Sequence, residues 1–237
     1  MKTTKTLVTG MIATAVLLTT VKQVSAAPVP PMTIVAEAAG GTIVFVEDAG
    51  AIAEGASDWP PAKLTAVVKF YEEAVARYTA ASAFGSVERW AKAFGISVDN
   101  PIRVVYAGKA RDTAPARATW IAGMPVITHY ALRTSVSTAG VKLVVHELAH
   151  IWDGAHNREL GEAIETTVQN PDGFPTAKAR DEGSKEDFAE SVTATLWPGY
   201  AVNESWSDDE PGRSRRASAA PDTLWTMDRH DYVESLY

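Results

Sequence analysis

The segment VKLVVHELAHIWD, residues 141–153, decides the fold because it predicts a helix that is apolar on nearly every side. Outside the motif HELAH at 146–150, only Lys142 and Asp153 are polar. A helix that is apolar all round is typical of a protein interior. Buried imidazole and carboxylate groups are destabilising by several kcal/mol unless something satisfies them, and a metal ion does so. The segment therefore predicts a buried helix that carries a metal site.

The motif HELAH has the spacing of a zinc-binding helix. His146 and His150 are four residues apart, so both imidazoles lie on one helix face, with Glu147 beside them. Zinc lowers the pKa of a bound water towards neutrality, and a nearby carboxylate can take the proton as the water attacks a carbonyl carbon. The motif predicts one zinc ion bound by the two histidines, with Glu147 as the general base.

A catalytic zinc usually has three protein ligands, and the residues alone offer two candidates for the third. His156 follows His146 at the spacing of HExxHxxGxxH, the metzincin signature, but Asp153 stands where that signature has glycine. Glu186 is four residues before Glu190, so both carboxylates lie on one face of a predicted helix. One of the pair could bind zinc while the other orients a ligating histidine. Both candidates remain open at this point.

The two segments together resemble a known family. HELAHIWD at 146–153, followed by EDFAES at 186–191, is similar to the gluzincins, the zinc peptidases with a glutamate ligand, and especially to their lethal-factor-like group. Members of that group pair HExxHxxD with a later ExFAE segment, and both halves are present here. The resemblance covers residues 141–197 and implies a gluzincin-type zinc metallopeptidase with a zincin-like domain.

The resemblance also implies a role for each matching side chain. The three zinc ligands would be His146, His150 and Glu186. Glu147 would be the general base. Glu190 and Asp153 would hold the ligands in place without binding zinc themselves.

One feature of the lethal-factor-like group is missing. Its members have a tyrosine a few residues before the ligand glutamate, where it stabilises the oxyanion, but residues 175–181 contain none. Any donor aimed at the developing oxyanion could serve instead. The candidates are Arg180, His156, Tyr200 and His230.

Composition excludes several classes of protein. The net charge of −7 argues against a nucleic-acid partner, for which a basic stripe is expected. The absence of cysteine excludes thiol catalysis, thiolate-bound zinc and disulfides. Hydrophobic residues make up 46% of the chain, which is enough for a substantial core. Stability must therefore come from that core and from a bound ion.

The N-terminus has the pattern of a secretory signal. Two lysines among the first five residues precede an apolar run at 7–18, and small residues follow at 24–26. The pattern predicts a signal peptide at 1–26 and a single zinc metallopeptidase domain at 27–237. An uncleaved anchor is the alternative. The mature protein is expected to be secreted and extracellular, with no membrane contact after signal cleavage.

Periodicity predicts an α+β fold, with a small mixed sheet packed on the active-site helix and a helical C-terminal half. Strands are predicted at 42–46, 102–106, 119–122 and 125–130. The first predicted helix begins within 57–61 and ends at residue 78. Further helices are predicted at 86–94, 138–153, 158–168, 185–197 and 222–236. The polar residues 203–221 are predicted to form a flexible loop.

The preferred function is that of a secreted zinc-dependent endopeptidase. A zinc-activated water would hydrolyse peptide bonds in a protein or peptide substrate, with Glu147 as general base. The strand at 125–130 precedes the metal helix, and an extended peptide could pair with an exposed sheet edge. Two alternatives are a catalytically inactive zinc-stabilised secreted binding protein and a metzincin-like peptidase that uses His156 as third ligand.

Overall fold

The computed structural model has an α+β fold, as the periodicity predicts. It describes residues 32–108, 115–130, 139–168, 177–196 and 225–237. The predicted signal peptide at 1–26 and the predicted loop at 203–221 lie outside these residues.

The described residues contain a five-stranded mixed sheet. Its strands are β1 (Thr33–Ala38), β2 (Ile43–Glu47), β3 (Ile102–Ala107), β4 (Ala116–Ile121) and β5 (Met124–Tyr130), in the order β1-β2-β3-β5-β4. β2, β3 and β5 are parallel, while β1 and β4 are antiparallel to their neighbours. The four predicted strands are confirmed within a few residues. β1 is an addition to the prediction: its sequence TIVAEA contains an Ala-Glu-Ala stretch with weak strand preference, and the strand forms by pairing with β2.

Helices surround one face of the sheet and build the C-terminal half. They are α1 (Pro61–Tyr78), α2 (Val87–Ala93), α3 (Ala139–Ala155), α4 (Glu159–Thr167), α5 (Ala177–Asp181), α6 (Ser184–Leu196) and α7 (Trp225–Glu234). The predicted helices are confirmed, with α1 beginning at Pro61. α5 is an addition, because five residues are too few to show a helical period. In the ranges that the structure describes, every helix is too short or too polar to cross a bilayer.

The three central strands, β2, β3 and β5, are buried on both faces of the sheet. On β2, Ile43 and Phe45 point into the larger core beneath the helices, whereas Val44 and Val46 point into a smaller cluster closed by residues 49–53. This division follows from the two-residue period of a strand. Parallel strands covered on both faces are near-continuously apolar, as β2 is.

α3 is the helix that the larger core is built around. Residues 141–149 are all buried, which confirms the burial predicted from the apolar segment. α3 packs against α1, α6 and the edge strand β4. The hydroxyl of Tyr78 on α1 donates a hydrogen bond to the carbonyl oxygen of Val145 at 2.8 Å, which fixes the position of α3 next to the metal motif.

The edge of the sheet next to α3 is β4 rather than β5. β5 is paired on both sides, with β3 and with β4, so its own backbone is not available to a peptide. β4 pairs with β5 on one side only in the described part of the sheet. β4 is therefore the strand with an unpaired edge on this side of the described sheet.

Candidate metal centre

The candidate metal centre lies between α3 and α6. HELAH is on α3, and both Glu186 and Glu190 are on α6. Residues 186–194 of α6 are all buried, so its two glutamates do not form a solvated acidic face. Buried carboxylates need partners, and α3 presents histidines directly opposite them.

Three side chains converge on one point, although α6 is far from α3 in sequence. His146 Nε2 is 3.0 Å from His150 Nε2 and 3.2 Å from Glu186 Oε2. His150 Nε2 is 3.3 Å from Glu186 Oε1. Within the described residues, His146, His150 and Glu186 form a group whose ligand atoms all lie within 4.8 Å of one another, and we call these three side chains the metal group.

These distances fit a tetrahedral zinc ion. Zinc binds imidazole nitrogen and carboxylate oxygen at about 2.0–2.2 Å, so neighbouring ligand atoms of a tetrahedron are about 3.3 Å apart. The two imidazole nitrogens are 3.0 Å apart, and each is close to that edge length from one oxygen of Glu186, His146 at 3.2 Å from Oε2 and His150 at 3.3 Å from Oε1. Two neutral imidazoles and one carboxylate are also a donor set that zinc accepts. The residues present therefore fit a zinc ion.

The ionisation of these side chains depends on their contacts with one another. Burial and the ammonium of Lys178 lower the pKa of His146, but the Glu186 and Glu190 carboxylates outweigh them and raise it to about 9. For Glu186, burial opposes ionisation, but hydrogen bonds to His146 and His150 hold the pKa of its carboxyl far below the usual range. The Glu186 carboxylate is therefore ionised and able to bind a cation throughout the physiological pH range.

The imidazole of His150 is neutral in this environment. Burial lowers its pKa, although hydrogen bonding to Glu186 acts in the opposite direction. Its Nδ1 atom is buried and has no hydrogen-bond partner among the described residues. A neutral imidazole with Nε2 directed at the other two ligands is the form that binds zinc.

Glu190 lies behind His146. Its Oε1 atom is 3.3 Å from His146 Nδ1, on the side of the ring away from the other ligands, and the Glu190 side chain is fully buried. A carboxylate at this position orients a ligating histidine and increases its basicity.

Asp153 is buried one turn beyond His150 but contacts a different element. Its Oδ1 atom accepts a hydrogen bond from the backbone nitrogen of Gly161 at 2.8 Å, and its Oδ2 atom is 3.9 Å from Arg158 Nη1. Burial raises the pKa of Asp153 despite these contacts. The side chain therefore connects α3 to α4 and supports the helix from its C-terminal end.

Glu147 is directed at the edge of the sheet. Its Oε2 atom accepts a hydrogen bond from the backbone nitrogen of Ala118 on β4 at 2.7 Å. Glu147 is outside the group of three ligand atoms, although it neighbours His146 in sequence. The carboxylate therefore contacts β4 from α3.

His156 is not brought to the metal group. α3 continues through Asp153 to Ala155, so the chain does not turn where the metzincin signature has its glycine. The exposed ring of His156 instead donates from Nε2 to the carbonyl oxygen of Ala93 at 3.0 Å. The separation follows from the missing glycine, because a helix that continues carries the next histidine away from its own metal face.

The other predicted oxyanion donors are elsewhere or outside the described part of the chain. His230 lies on α7 near Asp231 and Glu234, which are 3.8 and 3.5 Å from its ring nitrogens. Tyr200 falls in residues 197–224, and the side chain of Arg180 is likewise outside what the structure describes. These positions give no support to His230 as a donor at the metal group.

Lys178 is a site residue that the sequence does not predict. Its Nζ atom is 2.7 Å from Glu186 Oε2 and 3.3 Å from His146 Nε2. A single lysine on a short helix has no periodic or motif signal. The available clue is its spacing, because Lys178 precedes the predicted ligand Glu186 by little more than two helical turns.

A buried polar pair joins α1 to β5. The hydroxyl of Tyr71 on α1 and Nε2 of His129 on β5 are 2.9 Å apart, and both side chains are buried. Burial, with a smaller contribution from Lys63, lowers the pKa of His129 to about 3. Burial and the nearby charge of Glu147 raise the pKa of Tyr71. His129 is therefore a neutral core histidine, packed at the site without joining the metal group.

Comparisons with protein-family models, with curated proteins and with solved structures find no match to this chain.

Proposed function

We propose that this chain is a secreted zinc-dependent endopeptidase with a zincin-like domain. The observation that carries the proposal is the convergence of His146, His150 and Glu186 to ligand-edge distances, with Glu147 on the same helix as two of them. Such a group has three protein ligands and leaves the remaining position of a tetrahedral ion for water or substrate. One zinc ion per chain is the implied cofactor.

The bound zinc would supply two effects, a lowered pKa for a nearby water and polarisation of the scissile carbonyl. The chain's own residues supply the rest. Glu190 holds the His146 ring from Nδ1, so that Nε2 stays directed at the other ligands. Asp153 fixes the end of α3 through Gly161. The ligand positions are thus set by buried side chains on packed helices.

Glu147 is proposed to accept and return the proton. Its carboxylate is held by the Ala118 N–H, and it projects from the helix that carries the two histidines. A carboxylate held by one hydrogen bond keeps its other oxygen available for a proton. During hydrolysis it would take a proton from the attacking water and deliver it to the amine that leaves.

A peptide is the substrate class that the surroundings of Glu147 favour. β4 is an edge strand in the described sheet, and the hydrogen bond from the Ala118 N–H holds Glu147 beside it. An extended peptide can pair with such an edge through backbone hydrogen bonds. That pairing would bring a peptide bond close to the base and the metal group.

Secretion is proposed from the sequence at 1–26, as cleavage after residue 26 would release the domain outside the cytoplasm. N-terminal sequencing of protein from the culture medium should return a start near Ala27. Recovery of a chain that still begins at Met1 would contradict it.

The test of the proposed activity is Glu147→Gln. The substitution keeps the size of the side chain and removes its ability to take a proton, so zinc should be retained while hydrolysis of a peptide library falls by at least about 100-fold. Zinc content and cleavage products are measured on the same purified samples. Full activity in the variant would refute the role of Glu147, and zinc-free wild type would refute the metal centre.

A second candidate is a zinc-stabilised binding protein without catalytic activity. It is favoured by the absence of tyrosine at 175–181 and by the ammonium of Lys178 at the metal group. On this alternative, wild type and Glu147→Gln both bind zinc, and neither releases products from the peptide library.

A further inference from the structure

The metal group already contains a cation of the chain's own. Lys178 on α5 points its Nζ atom at Glu186 Oε2, at 2.7 Å, and the same atom is 3.3 Å from His146 Nε2. Glu186 Oε2 is also the oxygen that lies 3.2 Å from His146 Nε2. The ammonium therefore lies beside two of the three side chains that would bind a divalent cation.

The local chain geometry explains how Lys178 reaches the site. α5 ends at Asp181 and α6 begins at Ser184, so the two helices are joined by a tight turn. Gly183 has a φ of +88° there, a conformation that favours glycine, and its carbonyl oxygen accepts from the backbone nitrogen of Glu186 at 3.0 Å. This turn places the Lys178 side chain across from Glu186.

The site contains several buried carboxylates, and Lys178 compensates part of their negative charge. Glu147, Glu186 and Glu190 are all buried, and uncompensated buried carboxylates are strongly destabilising. The Lys178 side chain is 23% exposed and in direct contact with Glu186, so it supplies positive charge inside the site. Lys185 also approaches Glu186, at 3.5 Å from Oε1, but its side chain is 53% exposed and solvent screens its charge.

We propose that Lys178 is a positioning residue, which holds Glu186 in the metal-free chain and competes with the divalent cation for Glu186 Oε2. The inference rests on the proposed metal function. Lys178 offsets the negative charge of Glu186 before the metal binds, and its contact with Oε2 is lost or weakened when the metal arrives. Two cations close together repel one another, so the lysine lowers metal affinity while it stabilises the metal-free fold.

The test compares Lys178→Met with Lys185→Met in the full-length mature protein. Zinc affinity is measured by competition with a chromophoric chelator at fixed pH and ionic strength. Removing a positive charge that touches the ligands should tighten zinc binding by roughly tenfold or more in Lys178→Met. The exposed lysine should matter little, so Lys185→Met should stay within about twofold of wild type.

The melting temperature without zinc gives a second readout of opposite sign. Lys178→Met should melt below both wild type and Lys185→Met in chelator, because Glu186 loses its cation, and Lys178→Arg should restore most of the loss. A residue with a merely structural role would lower stability and zinc affinity together. If metal-free Lys178→Met does not stay folded, Lys178→Gln is titrated in its place, because glutamine also removes the charge but keeps a polar group beside Glu186.

The outcomes separate this inference from the proposed function. Tighter zinc binding together with a lower metal-free melting temperature would support the role of Lys178. Unchanged or weaker zinc binding in Lys178→Met, beside a wild type that binds zinc, would overturn the inference and leave the metal site intact. A wild type that binds no zinc would overturn the proposed function itself.

Discussion

At the scale of single residues, the third metal ligand distinguishes the alternative metal sites. Glu186 meets His146 and His150 at 3.2 and 3.3 Å, whereas His156 bonds to the Ala93 carbonyl. Glu186→Ala would leave only two ligands, so we expect zinc affinity to fall steeply, by about 1,000-fold or more, and activity to fall with it. His156→Ala should keep zinc affinity within a few-fold of wild type, since it removes only an exposed contact.

Glu190→Ala should fall between these two variants, because a carboxylate that supports a ligand typically contributes 10- to 100-fold in metal affinity or activity. The three purified variants are compared by chelator competition. Loss of zinc in His156→Ala with retention in Glu186→Ala would reverse the ligand assignment in favour of the metzincin-like site.

His129 gives a prediction about pH that is independent of the metal. Its folded-state pKa of about 3 is below its ordinary value of 6.5. Between these values the unfolded chain binds a proton that the folded chain does not, so stability falls as the pH is lowered. Going from pH 7 to pH 5, His129 should reduce the free energy of unfolding by about 2 kcal/mol.

His129→Gln tests this directly, because glutamine can still bond to the Tyr71 hydroxyl and does not titrate. Urea unfolding of both proteins is measured at pH 7 and pH 5 in chelator, so that acid release of zinc does not contribute. The loss of stability should be smaller in the variant. An equal loss in the two proteins would show that His129 is not the group responsible.

At the scale of elements, a buried ion pair joins α7 to α6. Arg229 donates from Nε to Asp187 Oδ1 at 2.8 Å and from Nη2 to Oδ2 at 2.9 Å, and both side chains are buried. Arg229→Met would leave the buried Asp187 carboxylate without its cationic partner, so we expect the free energy of unfolding to fall by about 3 kcal/mol or more. Urea unfolding provides the measurement.

The matched control removes the stranded charge as well. Adding Asp187→Leu to Arg229→Met should recover part of the lost stability, because the buried carboxylate is then gone. If the double variant were less stable than Arg229→Met, the loss would come from packing of α7 rather than from the uncompensated charge.

The elements differ in how well the sequence predicts them. α3 is predicted from its own residues, because a segment that is apolar on all sides has one stable location, the interior. β1 is not predicted, since TIVAEA forms a strand only through its partner β2. The local sequence pattern determines the location of α3, whereas pairing with another strand determines the conformation of β1.

The same distinction applies to the candidate metal site. The two histidines follow from helical spacing within one segment. Glu186 comes from a distant segment. The residues alone do not choose between Glu186 and His156 as the third ligand, so the assignment of Glu186 depends on the family resemblance. Lys178 is predicted by neither, because its contact with Glu186 depends on the turn between α5 and α6. Contacts across elements are set by packing, which a local pattern does not contain.

At the scale of the whole molecule, a bound ion should stabilise the fold. The chain has no cysteine, and α3 and α6 meet through buried histidines and carboxylates. A ligand that binds only the folded state contributes about 2.7 kcal/mol at a free concentration of 100 times its Kd. For a chain of this size, the melting temperature should rise by roughly 5–10 °C. Calorimetry with zinc and with chelator measures the difference, and equal melting temperatures would contradict it.

The most direct test of the metal centre is the amount of zinc that the folded, metal-free protein binds. Titration of the mature wild-type chain should show one equivalent of zinc per chain, because the described residues bring one buried set of two histidines and a carboxylate together. The double variant His146→Ala/Glu186→Ala should bind none at that site. One equivalent in wild type and its loss in the variant would establish the centre, whereas a wild type that binds no zinc, or a variant that still binds one equivalent, would contradict it.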